Sequence, residues 1–205
     1  MKLVFVLIAI WSLQSAPTQE DRAREQAVHE AVVAHTIVPI AVRLRPTQTG
    51  VPPVVLIRDQ TIGLWEKWPD MVPVGCTHEQ FALQHFDGSS SGGVPHVGAD
   101  LTVETRQQLI EGFRTANRTA RGLLWANSQL LRPVSVTQES ELRKGDARWT
   151  LAVAGLSAPA FSTDGHALVY GRFSCGSECA YTWIFLLRLQ DGKWRVLSDF
   201  MISIS

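Results

Sequence analysis

Residues 161–205 read FSTDGHALVYGRFSCGSECAYTWIFLLRLQDGKWRVLSDFMISIS, and the alternation inside them decides the fold class. In the first strand-forming run Ala167, Val169, Gly171 and Phe173 fall on one side, with Leu168, Tyr170 and Arg172 on the other. The second run, Tyr181 to Leu189, sets Tyr181, Trp183, Phe185, Leu187 and Leu189 against Thr182, Ile184, Leu186 and Arg188. Both faces are apolar at its centre, which is the pattern of a strand covered on both sides. Gln190-Asp191-Gly192-Lys193 then reads as a tight hairpin, because Asp-Gly suits the positive φ angles of a type I′ turn. Trp194, Val196 and residues 200–204 complete a three-stranded antiparallel meander.

Upstream of the meander the pattern changes period. From Gln19 to Ile37 apolar residues recur every three or four positions (Ala23, Ala27, Val28, Ala31, Val32), with His35 on or near the same stripe, and Pro39 closes the helix. At His35 a hydrogen-bonded edge of the core is the expectation rather than a ligand. Val54–Ile57 reads as a buried strand, with Arg58 and Asp59 as its exposed end. Residues 61–100 read as loop-rich, with Trp65, Trp68 and Met71 covering the core and FDGSSSGGVPHVGAD forming a flexible loop that includes Asp87, Gly92, Gly93 and His96. Leu101–Trp125 reads as one helix with Thr102 as N-cap and Leu109, Ile110 and Phe113 on its buried face. Two further strands, around Val134–Val136 and Trp149–Val153, flank the charged turn Arg143–Asp146. Helices placed ahead of a mostly antiparallel, curved sheet make the class α+β, as a single domain over 17–205 built of a helix and first strand (17–60), the loop-rich stretch, the helix (101–125) and the antiparallel sheet (133–205).

Residues 1–16 read as a signal peptide. Lys2 precedes an apolar run from Leu3 to Leu13, interrupted by Ser12 alone, and a small-residue exit at Ala16, and that run is too short to cross a bilayer, which takes roughly 20 residues. A secreted or periplasmic protein is the expectation. Lysine plus arginine equals aspartate plus glutamate at 19 each, so no basic footprint for nucleic acid or for an anionic membrane surface exists.

Motifs for chemistry are sparse. GSSSGG lacks the Gly-Lys-Ser/Thr ending of a phosphate loop, and neither Gly-x-Ser-x-Gly nor His-Glu-x-x-His occurs, so no cofactor and no catalytic residue is assigned. Asn117-Arg118-Thr119 matches a glycosylation sequon but falls within the expected helix. In an exported chain Cys175 and Cys179 are first of all disulfide candidates, closing the loop between two strands for about 2 kcal/mol. Two alternatives stand beside that reading: a bridge involving Cys76, and a thiol or metal centre drawing on Cys76, His78, Cys175 and Cys179. Glu178, Asp164 and His166 are acid–base candidates without an evident partner.

The pattern F-S-x-D-G-x-A-L-V-Y, C-G-x-x-C and G-x-W-x-V over the last 45 residues resembles the C-terminal part of a group of exported bacterial proteins of unknown function. Ala180 stands where members of that group often carry glycine. A fainter likeness, in element order and G-x-W-x-V, is to cone-shaped α+β domains of the NTF2-like type. The expectation drawn from all this is a non-catalytic module that binds a small ligand or a protein through the concave side of its sheet, under the loop from Asp87 to Gly98. The competing expectation is a hydrolase or thiol/metal protein working through Cys175 and Cys179.

Overall fold

A computed structural model describes residues 17–39, 55–62, 77–87, 97–123, 134–137, 152–174 and 180–204. Its elements are α1 (Gln19–Val32) continued by a π turn (Val33–Ile37), β1 (Val55–Arg58), α2 (His78–Asp87), α3 (Val103–Ala116), β2 (Val134–Thr137), β3 (Ala152–Leu156), β4 (Ala160–Phe161), β5 (His166–Ser174), β6 (Ala180–Gln190) and β7 (Lys193–Ile204). The class is α+β. One mixed sheet runs β2-β1-β3-β5-β6-β7, with β4 paired to β5.

The meander forms as its alternation requires. β5, β6 and β7 pair antiparallel, and residues 191 and 192 turn between the last two with φ of 51° and 72°. The side chains of β6 divide between two cores. Trp183, Phe185 and Leu187 join Val28, Val32, Val33 and Ile37 beneath α1, while Ile184 and Leu186 join Leu83, Phe86, Leu109 and Phe113 beneath α2 and α3. The sheet is therefore the middle of three layers, and at β5 and β6 both of its faces are covered.

Four expectations are corrected. The strands β2 and β3, expected in an antiparallel sheet, flank β1 and both run parallel to it. Alternation marks a strand's faces but not its partner, and the short apolar run of β1 is what an interior parallel strand needs. The stretch 61–100 contains α2, opened by a capping box in which Thr77 and Gln80 each accept the other's backbone N–H. The expected helix over 101–125 ends at Ala116. Leu123 carries its apolar spacing but packs toward the α1 core, on the opposite side of the sheet from Leu109 and Phe113. Its segment instead runs beside residues 59–62, with Thr61 N–H donating to the Arg121 carbonyl and Leu123 N–H to that of Asp59.

The fourth correction is His35. The π turn adds a residue to the helical repeat, so Val33, Thr36 and Ile37 point inward while His35 turns out beside Asp199 of β7 at 3.7 Å. The buried histidine of this helix is His29, only 2% exposed.

Candidate functional site

Among the described residues, the densest cluster of chemistry-bearing side chains is the turn 162–166, inside the F-S-x-D-G motif. Gly165 takes φ of 86°, a conformation that only glycine adopts cheaply, and so reverses the chain between β4 and β5. Asp164 sits at the centre. Ser162 Oγ and His166 Nδ1 both donate to its Oδ1, and Thr105 of α3 donates to its Oδ2 at 2.7 Å. Burial acts to raise this carboxyl, but the hydrogen bonds from His166, Ser162 and Thr105 outweigh it and hold the group well below the usual carboxylate range. The serine hydroxyl is spent on the aspartate and on the His166 backbone N–H, so it is not aligned on the imidazole as a nucleophile requires. This cluster locks a β-turn to a helix. The partner that Asp164 and His166 lacked in the sequence is Thr105, 59 residues away from Asp164.

A second lock holds the other end of α3. Asn117 is 1% exposed; its Nδ2 donates to the carbonyls of Phe113 and Ala158, and its Oδ1 accepts from Ala158 N–H at 2.7 Å. The sequon asparagine is thus a buried backbone clamp with both ends of its amide engaged. Beneath α1, His29 donates from Nε2 to the Ser157 carbonyl at 2.9 Å. Burial, with the Arg121 charge nearby, pulls its imidazole down to about 4. Glu25 pairs with Arg121 beside it; burial raises that carboxyl and the arginine pulls it back.

What these locks leave open is the outer surface of α3. A groove of about 510 Å³ is lined by Asp87 from the end of α2 and by Val103, Arg106, Gln107, Ile110, Glu111 and Arg114 of α3. The helical repeat puts those six on one stripe, opposite Thr105, Leu109 and Phe113, which face the core. Val103 is 77% exposed and Ile110 is half-buried, so the floor is apolar in part. Arg114 donates to Glu79 of α2 at 2.9 Å, which fixes the two helices side by side. Arg106 donates to the Leu101 carbonyl at 3.2 Å, and Gln107 to Glu111 at 3.1 Å.

No protein family, curated protein or solved structure matches the chain.

Of the residues singled out in the sequence, Asp87 lines this groove, and so does Ile110, which was expected on the buried face of α3 and is half-buried. Cys76, Cys175, Cys179, Glu178, Gly92, Gly93 and His96 lie outside the described residues, as do Trp65, Trp68, Met71, the leader and the turn 143–146. His78 opens α2. The loop expected from Asp87 to Gly98 is described at its ends. Val97 and Gly98 donate backbone N–H groups to the carbonyls of His85 and Phe86, and Gly98 lies too close to the Phe86 ring for any Cβ. Among the described residues no group of three or more His, Cys, Asp or Glu is placed to hold a metal ion. Likewise, no described helix is long and apolar enough to cross a membrane.

Arg106, Gln107 and Arg114 have the composition of an ordinary solvated helix face, which hides the groove in the sequence. The available signal was Val103, an apolar residue at the N-terminus of α3 on the side away from its buried stripe.

Proposed function

We propose that this is a non-catalytic binding module of an exported protein, and that it takes a short polypeptide segment into the groove along α3. The observation that carries this reading is the shape and lining of that groove. From Val103 to Arg114 the stripe spans twelve residues, about 16 Å at the helical rise. That length matches roughly five residues of extended chain. A long, open trough with apolar and charged residues in alternation suits a peptide better than a small molecule, which favours an enclosing cavity. Val103 and Ile110 offer contact area for an apolar side chain, and Arg106, whose Nη2 is held by the Leu101 carbonyl, brings a positive charge for a carboxylate. The ligand is accordingly a segment with an acidic residue next to an apolar one. Export is supported by the leader, Lys2 followed by a run from Leu3 to Leu13 in which every residue but Ser12 is apolar. The coverage of β5 and β6 on both faces turns the reading away from the concave side of the sheet and toward its helical layer.

The test is selection from a phage-displayed peptide library on the full mature chain. Enrichment of acidic-apolar sequences that bind the wild type and fail on Val103→Asp is the expected result. Val103 is exposed at the first turn of α3, where an added carboxylate complements the helix dipole, so this variant folds. Absence of enrichment, or peptides that bind wild type and variant alike, would contradict the reading.

A further inference from the structure

We propose that the row His166, Arg188 and Arg195, which crosses β5, β6 and β7 near the hairpin end of the sheet, binds a phosphate group. The register makes this row, since His166 pairs with Arg188 and Arg188 pairs with Arg195. All three side chains fall on the α2/α3 face. Leu168 and Leu186, two residues along from His166 and Arg188, pack there, while Ala167, Leu187, Trp194 and Val196 pack on the α1 side. Residues directly opposite each other on one face hold their Cβ atoms about 4.5–5.5 Å apart. Two arginines rooted at that spacing can bring their planar donors to one tetrahedral oxyanion.

Both guanidiniums are open to such a guest. Arg188 and Arg195 are exposed, and among the described residues neither makes a hydrogen bond or an ion pair. Like charges directly opposite in a sheet destabilise it, and here no carboxylate relieves them. Asp164 is taken up by Ser162, His166 and Thr105, and Asp191 in the hairpin turn bonds neither arginine. Lys193, one pair further along the same face and opposite Gln190, adds to the positive field. The third member of the row is held in place. Asp164, tied to α3 through Thr105, accepts from Nδ1 of His166 at 2.9 Å and so sets the plane of the imidazole. Its Nε2 has no partner among the described residues, where the buried unpaired nitrogens all belong to Arg106, Arg121 and Arg172, so this atom opens to solvent. The lock on the turn therefore leaves one ring nitrogen unspent. A neutral ring accepts there from a phosphate hydroxyl, and a protonated ring donates there to a phosphate oxygen. This row is distinct from the α3 groove and stands or falls separately.

The experiment is titration of the full mature chain with inorganic phosphate against chloride of matched ionic strength, followed by calorimetry and by the imidazole nitrogen resonances. Acetate is the singly charged comparator, and methyl phosphate tells an esterified from a free phosphate by which of the two binds tighter. Saturable phosphate binding, tighter than acetate, is expected, with the Nε2 resonance of His166 shifting along the same curve. Arg188→Gln and Arg195→Gln each weaken binding about tenfold or more, the loss of one charge-assisted contact. Arg22→Gln, on α1 across the sheet, binds as wild type. Both row variants fold, because each removes a repulsion, and circular dichroism without phosphate checks it. The proposal is overturned if wild type shows no saturable phosphate binding beyond chloride, or if acetate binds as tightly. It is overturned equally if the Arg188 and Arg195 variants bind unchanged, or if the His166 resonance stays still while phosphate binds.

Discussion

His29 makes the stability of this protein depend on pH in a way that can be worked out in advance. Its ring is fully buried beneath α1 and donates to the Ser157 carbonyl, and burial lowers its pKa from 6.5 to about 4. Between those two values the unfolded chain takes up a proton that the folded chain refuses, so stability falls as the pH drops through 6.5 and levels off near 4. Applying 1.36 kcal/mol per pH interval of one, the loss between pH 7.5 and 4.5 is about 2.5 kcal/mol. Urea denaturation at pH 7.5, 6.5, 5.5 and 4.5, followed by tryptophan fluorescence, measures it. In His29→Gln the same series should be flatter by about that amount. Asp164, whose pKa is lowered from 3.8, acts only below this window, and Glu25 is present in both proteins. Parallel curves for wild type and His29→Gln, within about 0.5 kcal/mol, would refute the assignment of His29 as a buried neutral group.

Other outcomes follow from the same packing. Asn117→Ala strips the partners from the buried N–H and C=O of Ala158 and should cost about 2–4 kcal/mol in urea denaturation; in a eukaryotic secretory host, mass spectrometry should find Asn117 of the folded protein unglycosylated. Gly171→Ala places a methyl 3.0 Å from the Phe185 ring and 3.2 Å from Leu156, in the core under α1, and should destabilise by about 1–3 kcal/mol. Asp164→Asn keeps the size of the side chain but loses the charge that accepts from Ser162, His166 and Thr105, so the melting temperature should fall and faster amide exchange should appear in the first turn of α3.

The meander was legible in its strands and turn, to within a residue at the strand ends of β5 and β6, though not in the two register shifts between β6 and β7. Period-two alternation set the faces of β5 and β6, and Asp191-Gly192 named its own turn, because both signals are local. What escaped the sequence was non-local. β1 enters between β2 and β3, and nothing within its four residues specifies two parallel partners. One apolar stripe from Leu109 to Leu123 looked like one helix, although its ends belong to opposite sides of the sheet. At His35 a single added residue in a π turn moved the side chain from core to surface, and His29 took the buried place. The motif F-S-x-D-G-x-A was visible as a pattern, but its role depends on Thr105, which no local spacing connects to Asp164. The groove along α3 was hidden for the opposite reason. Its arginines and glutamine have the composition of any solvated helix face, and only the position of α2 beside them turns that face into a trough.

The most direct test of the account is the affinity of a selected peptide, read by fluorescence anisotropy, for wild type, Val103→Asp, Arg106→Ala and His35→Ala. Val103 and Arg106 line the α3 groove, whereas His35 lies across the sheet beside Asp199. The account predicts about tenfold or greater loss in the first two variants and an unchanged affinity in the third. Unchanged binding by Val103→Asp and Arg106→Ala, or loss confined to His35→Ala, would contradict it.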